Sequence, residues 1–182
     1  MYTLNDSNSK LHWKGFKPGG KHHGTVDVIT GKVETDGDQL SRGSFEIDLK
    51  SIKNEDIGNK TIRDKLVSHL KSKDFFHVEA YPKAYFEITR VEPAGVSDSG
   101  TDNGHTHVVT GDLTIRGNTR GISFPANISQ DDRMIRARTG EISLNRTKWE
   151  VNHMSRSIFA GLKDQFINDE MVVKLDLKFE KN

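Results

Sequence analysis

The last strand-length stretch of this chain alternates with a period of two. Met171, Val173, Leu175, Leu177 and Phe179 interleave with Val172, Lys174, Asp176, Lys178 and Glu180. Successive side chains of a β-strand point to opposite faces, so this segment has one apolar face and one mostly charged face. The pattern recurs. Phe45, Ile47 and Leu49 alternate with Glu46, Asp48 and Lys50; Ile122, Phe124, Ala126 and Ile128 alternate with Ser123, Pro125 and Asn127. Val109, Leu113 and Ile115 share a face, as do Phe86 and Ile88. Weaker alternation runs through 11–17, 25–30 and 134–146. About eight strands follow, separated by turn signals such as Lys17-Pro18-Gly19-Gly20, Asp36-Gly37-Asp38, Arg116-Gly117-Asn118 and Gln130-Asp131-Asp132. Short, half-apolar strands at this spacing predict an antiparallel sandwich or barrel.

One segment departs from the period. Ile62, Leu66 and Leu70 recur every fourth residue, which predicts a helix over about 60–71 with one apolar stripe. Inserted between strands, that stripe needs a surface to cover, and a barrel mouth supplies one. The polar stretch Ser97–Gly104 reads as a flexible loop tip. No repeat or long linker divides the 182 residues, so residues 1–182 are expected to form one domain.

Composition narrows the function classes. With 27 basic and 26 acidic residues the formal charge is +1, which points to neither nucleic acid nor an anionic membrane as partner. There is no cysteine, and therefore no disulfide and no thiolate chemistry. No apolar run is long enough to span a bilayer. The first residues, Met1-Tyr2-Thr3-Leu4-Asn5-Asp6, carry no signal pattern. A cytoplasmic protein is expected, or a periplasmic one whose signal segment was removed. Only 33% of the residues are hydrophobic, which is easier to reconcile with a hollow barrel than with a solid two-sheet core.

Three blocks are more specific. Phe45-Glu46-Ile47-Asp48-Leu49-Lys50-Ser51-Ile52 is followed by His69-Leu70-Lys71-Ser72-Lys73-Asp74-Phe75-Phe76, with Tyr81-Pro82 beyond, and then by Gly111-Asp112-Leu113-Thr114-Ile115-Arg116-Gly117-Asn118-Thr119. In this order they resemble the YceI-like family of lipocalin-like, polyisoprenoid-binding proteins, over about Tyr2 to Phe179. The resemblance implies an all-β fold: an extended, antiparallel lipocalin-like barrel enclosing a long cavity for an isoprenoid lipid. It implies no catalytic residue and no cofactor other than such a lipid or quinone, and it makes a homodimer reasonable. Where family members often carry arginine, aspartate, an aromatic and glycine, Arg146 is followed by Thr147-Lys148-Trp149, and the segment from Glu150 to Asp169 is individual.

The expected lipid-binding residues are Trp13, Phe45, Ile47, Phe76, Phe86, Ile88, Leu113, Phe124, Trp149 and Leu175. For each of them ordinary core packing is the alternative. Phe75 and Phe76 would face opposite ways if extended, so one of the two is expected to reach a ligand. Arg136, Arg138 and Arg146 share parity with Ile142 and Leu144. Facing inward, they could meet an anionic headgroup, and Arg146 is the candidate. Facing outward, they are solvated charges. His105 and His107 share a strand face and His22-His23 could join them, but no zinc-ligand spacing is present and no metal is expected. His69 reads as structural. No nucleophile elbow, phosphate loop or dinucleotide fingerprint occurs, so no enzyme is expected. Asp48, Asp64 and Asp74 are carboxylates without a catalytic setting, and Asp74 is expected to cap backbone N–H groups in a turn. The expected function is carriage or sequestration of a long apolar lipid. The alternative is a solidly packed barrel that acts as an interaction or structural stress module.

Overall fold

The computed structural model describes residues 1–37, 39–95 and 104–182. Its strands are β1 (Tyr2–Leu4), β2 (Lys10–Lys17), β3 (Gly20–Asp36), β4 (Gln39–Asn54), β5 (Lys83–Pro93), β6 (His107–Ile115), β7 (Asn118–Gln130), β8 (Met134–Thr139), β9 (Ile142–Asn145) and β10 (Glu170–Lys181). A helix, α1 (Lys60–Lys71), stands between β4 and β5, and short 3-10 turns cover Asp6–Asn8 and Arg146–Trp149. Most of the loop expected at Ser97–Gly104 lies outside the described residues.

All neighbouring strands pair antiparallel, in the order β10-β2-β3-β4-β5-β6-β7-β8, and β8 pairs back onto β10. The sheet therefore closes through the β8–β10 pairing. β1 and β2 lie end to end along one flank of β10, with Tyr2 opposite Lys181 and Leu11 opposite Leu175. β8 and β9 do the same along its other flank. Ten segments thus build an eight-stranded antiparallel barrel, one of the two architectures the alternation predicts and the one the family resemblance implies.

Bulges explain where the alternation fades. An extra residue in one strand of a pair reverses which parity faces inward. In β3, Val26 and Val28 face in, and after the register shift between Val28 and Thr30 the inward positions become Gly31 and Val33. The break around Gly140 acts likewise: Ile135 and Thr139 are buried before it, Ile142 and Leu144 after it. The shared parity of Arg136, Arg138 and Arg146 therefore does not carry across. Arg136 and Arg138 face outward, where Arg136 forks onto Asp176 of β10 at 3.0 and 2.9 Å and Arg138 approaches it at 3.5 Å. Arg146 points inward and is 4% exposed.

Helix α1 has the boundaries its sequence predicts. Asn59 caps it by accepting from the Ile62 N–H at 3.1 Å. Leu66 and Leu70 turn toward the barrel interior, but Ile62 is exposed. Four-residue steps drift by about 40° around a helix, so the three positions do not stay on one narrow stripe. No residue of α1 is buried, so the helix rests on the barrel without being part of its core.

The barrel is packed at one end and hollow at the other. Val33, Ile135, Leu177 and Phe179 are at most 3% exposed. Register brings them together, since Phe179 lies opposite both Ile135 and Leu4, and Val33 opposite Tyr2 and Gly43. Between the two ends, Gly111 of β6 lies beneath the ring of Phe86. A methyl group there would sit 2.5 Å from that ring and 2.4 Å from the Glu87 carbonyl oxygen, so only glycine admits the approach.

Candidate functional site

Phe86 stands at the centre of the hollow end. Its ring centroid is 5.3 Å from that of Phe45 and 5.7 Å from that of Phe124, with the rings tilted by about 41° and 43°. Phe86 lies directly opposite Phe45 on β4 and Leu113 on β6. Around this cluster is a cavity of about 310 Å³, partly open to solvent, with a wall that is almost wholly apolar. Its volume is at the lower end of the roughly 300–1,000 Å³ range of small-molecule sites.

Eight of the ten expected residues line it: Trp13, Phe45, Ile47, Phe76, Phe86, Leu113, Phe124 and Leu175. Two do not. Ile88 pairs with Gly43 and Gly111 and belongs to the packed end. Trp149 is 1% exposed, and its indole N–H donates to the Leu113 carbonyl at 2.9 Å. It fixes the strand that carries the wall without reaching the cavity itself. Trp13 does reach it, with its indole N–H anchored on the Lys53 carbonyl at 3.1 Å.

Phe75 and Phe76 both line the cavity, against the expectation that one would. Residues 72–76 coil instead of extending: the Phe75 N–H donates to the Ser72 carbonyl and the Phe76 N–H to the Leu70 carbonyl, each at 3.1 Å. In a turn, adjacent side chains need not oppose. Leu66 and Leu70, of the helical stripe expected to cover a barrel mouth, reach the wall from α1. Other wall residues were missed: Ile167 comes from a segment with no periodicity. Ile142 and Leu144 follow the parity reversal at Gly140.

The polar part of the lining is local. Lys14, Lys17, His22, Asn168 and Glu170 belong to it. The β2–β3 hairpin places Gly15 opposite His22, and the Asn168 N–H donates to the Phe16 carbonyl at 2.9 Å. Lys14 is ion-paired with Glu141. Beside this hairpin, Asp56 accepts from the His23 N–H at 2.8 Å and from Asn54 at 2.6 Å, and its other oxygen is 2.8 Å from His22 Nδ1. Burial works to raise the Asp56 pKa, but these hydrogen bonds outweigh it and hold the carboxyl down at about 2.

Arg146 reaches the cavity wall with most of its donors already committed. Nε donates to the Asn168 carbonyl at 2.9 Å, Nη1 to Val151 at 2.6 Å, and Nη2 to His153 and Ile167 at 2.9 and 3.0 Å. Four of its five N–H groups are used on backbone carbonyls. Burial lowers its pKa, opposed by Asp169, whose carboxylate lies 3.8 Å away.

The histidines sort differently from the sequence pattern. His107 pairs with Pro93 and Ala126, while His22 and His23 pair with β2, so these groups do not converge. Instead His69, at the end of α1, meets Asp74 and His153. His69 Nε2 is 3.2 Å from Asp74 Oδ2, and His153 Nδ1 is 3.9 Å from the same oxygen. The two imidazoles pack edge-on at 4.8 Å, and Phe75 touches both. Asp74 does not cap the turn through its carboxylate. That task falls to Ser72, whose Oγ accepts from the Asp74 N–H at 3.3 Å. Asp48 does bind backbone, accepting from the Lys50 N–H at 2.9 Å, and Asp64 pairs with Lys60 on the helix surface.

A closed antiparallel barrel, a capping helix and an apolar interior cavity define a lipocalin-like protein. The family model of the YceI-like domain matches residues 2–179, and the chain belongs to that family. Among relatives, a UPF0312 protein of Pseudomonas putida strain W619 is 33% identical over 107 residues, 59% of this chain and 49% of that protein. A UPF0312 protein of Photorhabdus laumondii is 40% identical over 70 residues, 38% of this chain and 30% of that protein. The match thus spans half or less of these relatives' length. Among solved structures, BcnA of Burkholderia cenocepacia superposes with a TM-score of 0.71 at 22% identity, covering 96% of this chain and 98% of that one. A polyisoprenoid-binding domain from Saccharophagus degradans, implicated in plant cell wall breakdown, gives 0.71 at 16% identity over 100% and 98%. At these identities the likeness establishes the fold.

Proposed function

We propose that this protein binds a long apolar lipid, of isoprenoid or quinone type, in the hollow end of the barrel, and so carries or sequesters it. The observation that supports this best is the cavity itself. A chain with few apolar residues buries the side chains at one end of its barrel almost completely and leaves about 310 Å³ open among Phe45, Phe86 and Phe124 at the other. The Saccharophagus degradans domain of the same fold, named for polyisoprenoid binding, agrees with this reading.

Each apolar Å² removed from water contributes about 25 cal/mol. Several isoprene units therefore bind without a charged anchor, after the cost of ordering the tail is subtracted. Because the packed end closes the barrel, the tail enters from the hollow end and the head stays near Lys14, Lys17 and His22. Arg146, the headgroup candidate of the sequence, serves the wall instead.

Native mass spectrometry of the purified protein, followed by organic extraction, tests the reading. A bound species of several hundred daltons with isoprenoid fragments is expected. Protein that is empty, and stays empty when offered ubiquinone or polyprenols, would overturn it and favour a protein-interaction module.

A further inference from the structure

His69, Asp74 and His153 come from three separate elements: the last turn of α1, the turn after it, and the segment between β9 and β10. Their ligand atoms all lie within 4.8 Å of one another. Among the described residues they form the group of three histidine or carboxylate side chains close enough to share an ion. A zinc ion at about 2.0–2.1 Å from each ligand sets tetrahedral edges of about 3.3 Å. The His69–Asp74 edge is 3.2 Å and the His153–Asp74 edge 3.9 Å. A contraction of about 0.6 Å on the second edge, and of up to about 1.5 Å on the one remaining His69–His153 edge, which is no longer than 4.8 Å, completes three corners of a tetrahedron and leaves the fourth to water.

We propose that His69, Asp74 and His153 form a binding site for a divalent transition-metal ion, with zinc as the typical occupant.

Two imidazoles and one carboxylate suit such an ion and suit calcium or magnesium poorly. The outer contacts hold the ligands in place. Arg146 Nη2 donates to the His153 carbonyl at 2.9 Å, the His69 carbonyl accepts from Ser72 Oγ at 2.7 Å, and Phe75 packs against both rings. Asp169, 3.8 Å from Arg146, balances the guanidinium charge beside the site. Asp74 and His69 are substantially solvent-accessible, so an ion can arrive without unfolding.

The consequence is mechanical. Metal would tie α1, which carries the wall residues Leu66 and Leu70, to the segment that carries Ile167. The ion would thus clasp the cover of the cavity. This holds whichever ligand the cavity takes.

The test uses protein without a histidine tag. Zinc is titrated by calorimetry and cobalt(II) by visible absorption, on the wild type, Asp74→Asn, His153→Gln and, as a control, His12→Gln at an exposed position of β2, with melting curves recorded without metal to show that each variant is folded. One equivalent should bind the wild type and His12→Gln, with cobalt bands of low coordination number. Asp74→Asn and His153→Gln should each bind more than roughly 100-fold more weakly, beyond what loss of an outer contact causes. Absence of stoichiometric binding by the wild type, or binding that both ligand variants retain, would overturn the proposal; in the second case the histidines elsewhere hold the ion and the three residues are a hydrogen-bonded contact alone.

Discussion

Arg146 and Val151 are joined inside the protein by an N–H···O bond of 2.6 Å, and the same guanidinium holds the carbonyls of His153, Ile167 and Asn168. One side chain thus ties together the two ends of the segment between β9 and β10, at Val151 and His153 and at Ile167 and Asn168. That segment supplies Val151 and Ile167 to the cavity wall.

Arg146→Lys should therefore be costly. An ammonium is a compact charge with three donors and cannot reproduce a planar fork that reaches four carbonyls. Buried carbonyls left unpaired cost about 1–3 kcal/mol each before relaxation. A loss of about 3 kcal/mol in urea unfolding is expected, with faster hydrogen exchange concentrated in residues 150–169. A change below about 0.5 kcal/mol would show that the fork is replaceable.

Ala84 offers the opposite experiment. It lines the cavity and is 2% exposed. Ala84→Phe should occupy much of the open volume next to Phe86. Filling a hollow avoids most of the roughly 1–3 kcal/mol that overpacking costs in a dense core. Binding of an apolar fluorescent probe should fall by about tenfold or more, a change of about 1.4 kcal/mol, while the melting temperature holds or rises. Unchanged uptake would place the probe outside the barrel.

Asp56 gives the fold an acid-sensitive clasp. Its folded pKa of about 2 lies below the ordinary 3.8, so the carboxylate stabilises the folded state. That contribution is complete above about pH 4 and is lost as pH falls toward 2. The side chain lies at the surface with 23% of its area exposed, so screening by solvent reduces its worth to about 1 kcal/mol. Asp56→Asn should lower stability at pH 6 by about that amount and converge with the wild type near pH 2. Parallel stability curves across this range would contradict the assignment.

Helix α1 should be the first element to open. None of its residues is buried, and it contacts the cavity only through Leu66 and Leu70. Elements with little buried apolar surface open at low free energy. Its amides should exchange much faster than those of β6, and a bound lipid should slow them. A helix as protected as β6 in lipid-free protein would exclude it as the moving cover.

The all-β architecture was legible because alternation is a local property. Each run such as Phe45–Lys50 or Met171–Glu180 states its own buried face; the runs alone left sandwich and barrel open, and the barrel followed from the resemblance of the three blocks to the YceI-like family. The helix span was legible for the same reason, since the spacing of Ile62, Leu66 and Leu70 acts within a few residues. The inward facing of Phe45, Phe86 and Phe124 followed directly from strand parity, though their meeting as a cluster did not. Parity failed at Gly140, where a break between two short strands reversed the faces and separated Arg146 from Arg136 and Arg138.

What the sequence by itself determined, then, is which side of each strand avoids water, because that depends on neighbours one and two residues away. The tertiary structure alone decided where along the barrel the interior is filled and where it is empty. Phe179 and Leu175 share one apolar face, yet Phe179 meets Ile135 and Leu4 across a filled end while Leu175 borders the cavity. It also decided that His153 lies beside His69 and Asp74. Packing volume and side-chain convergence are set by residues far apart in the chain, and no local pattern encodes them.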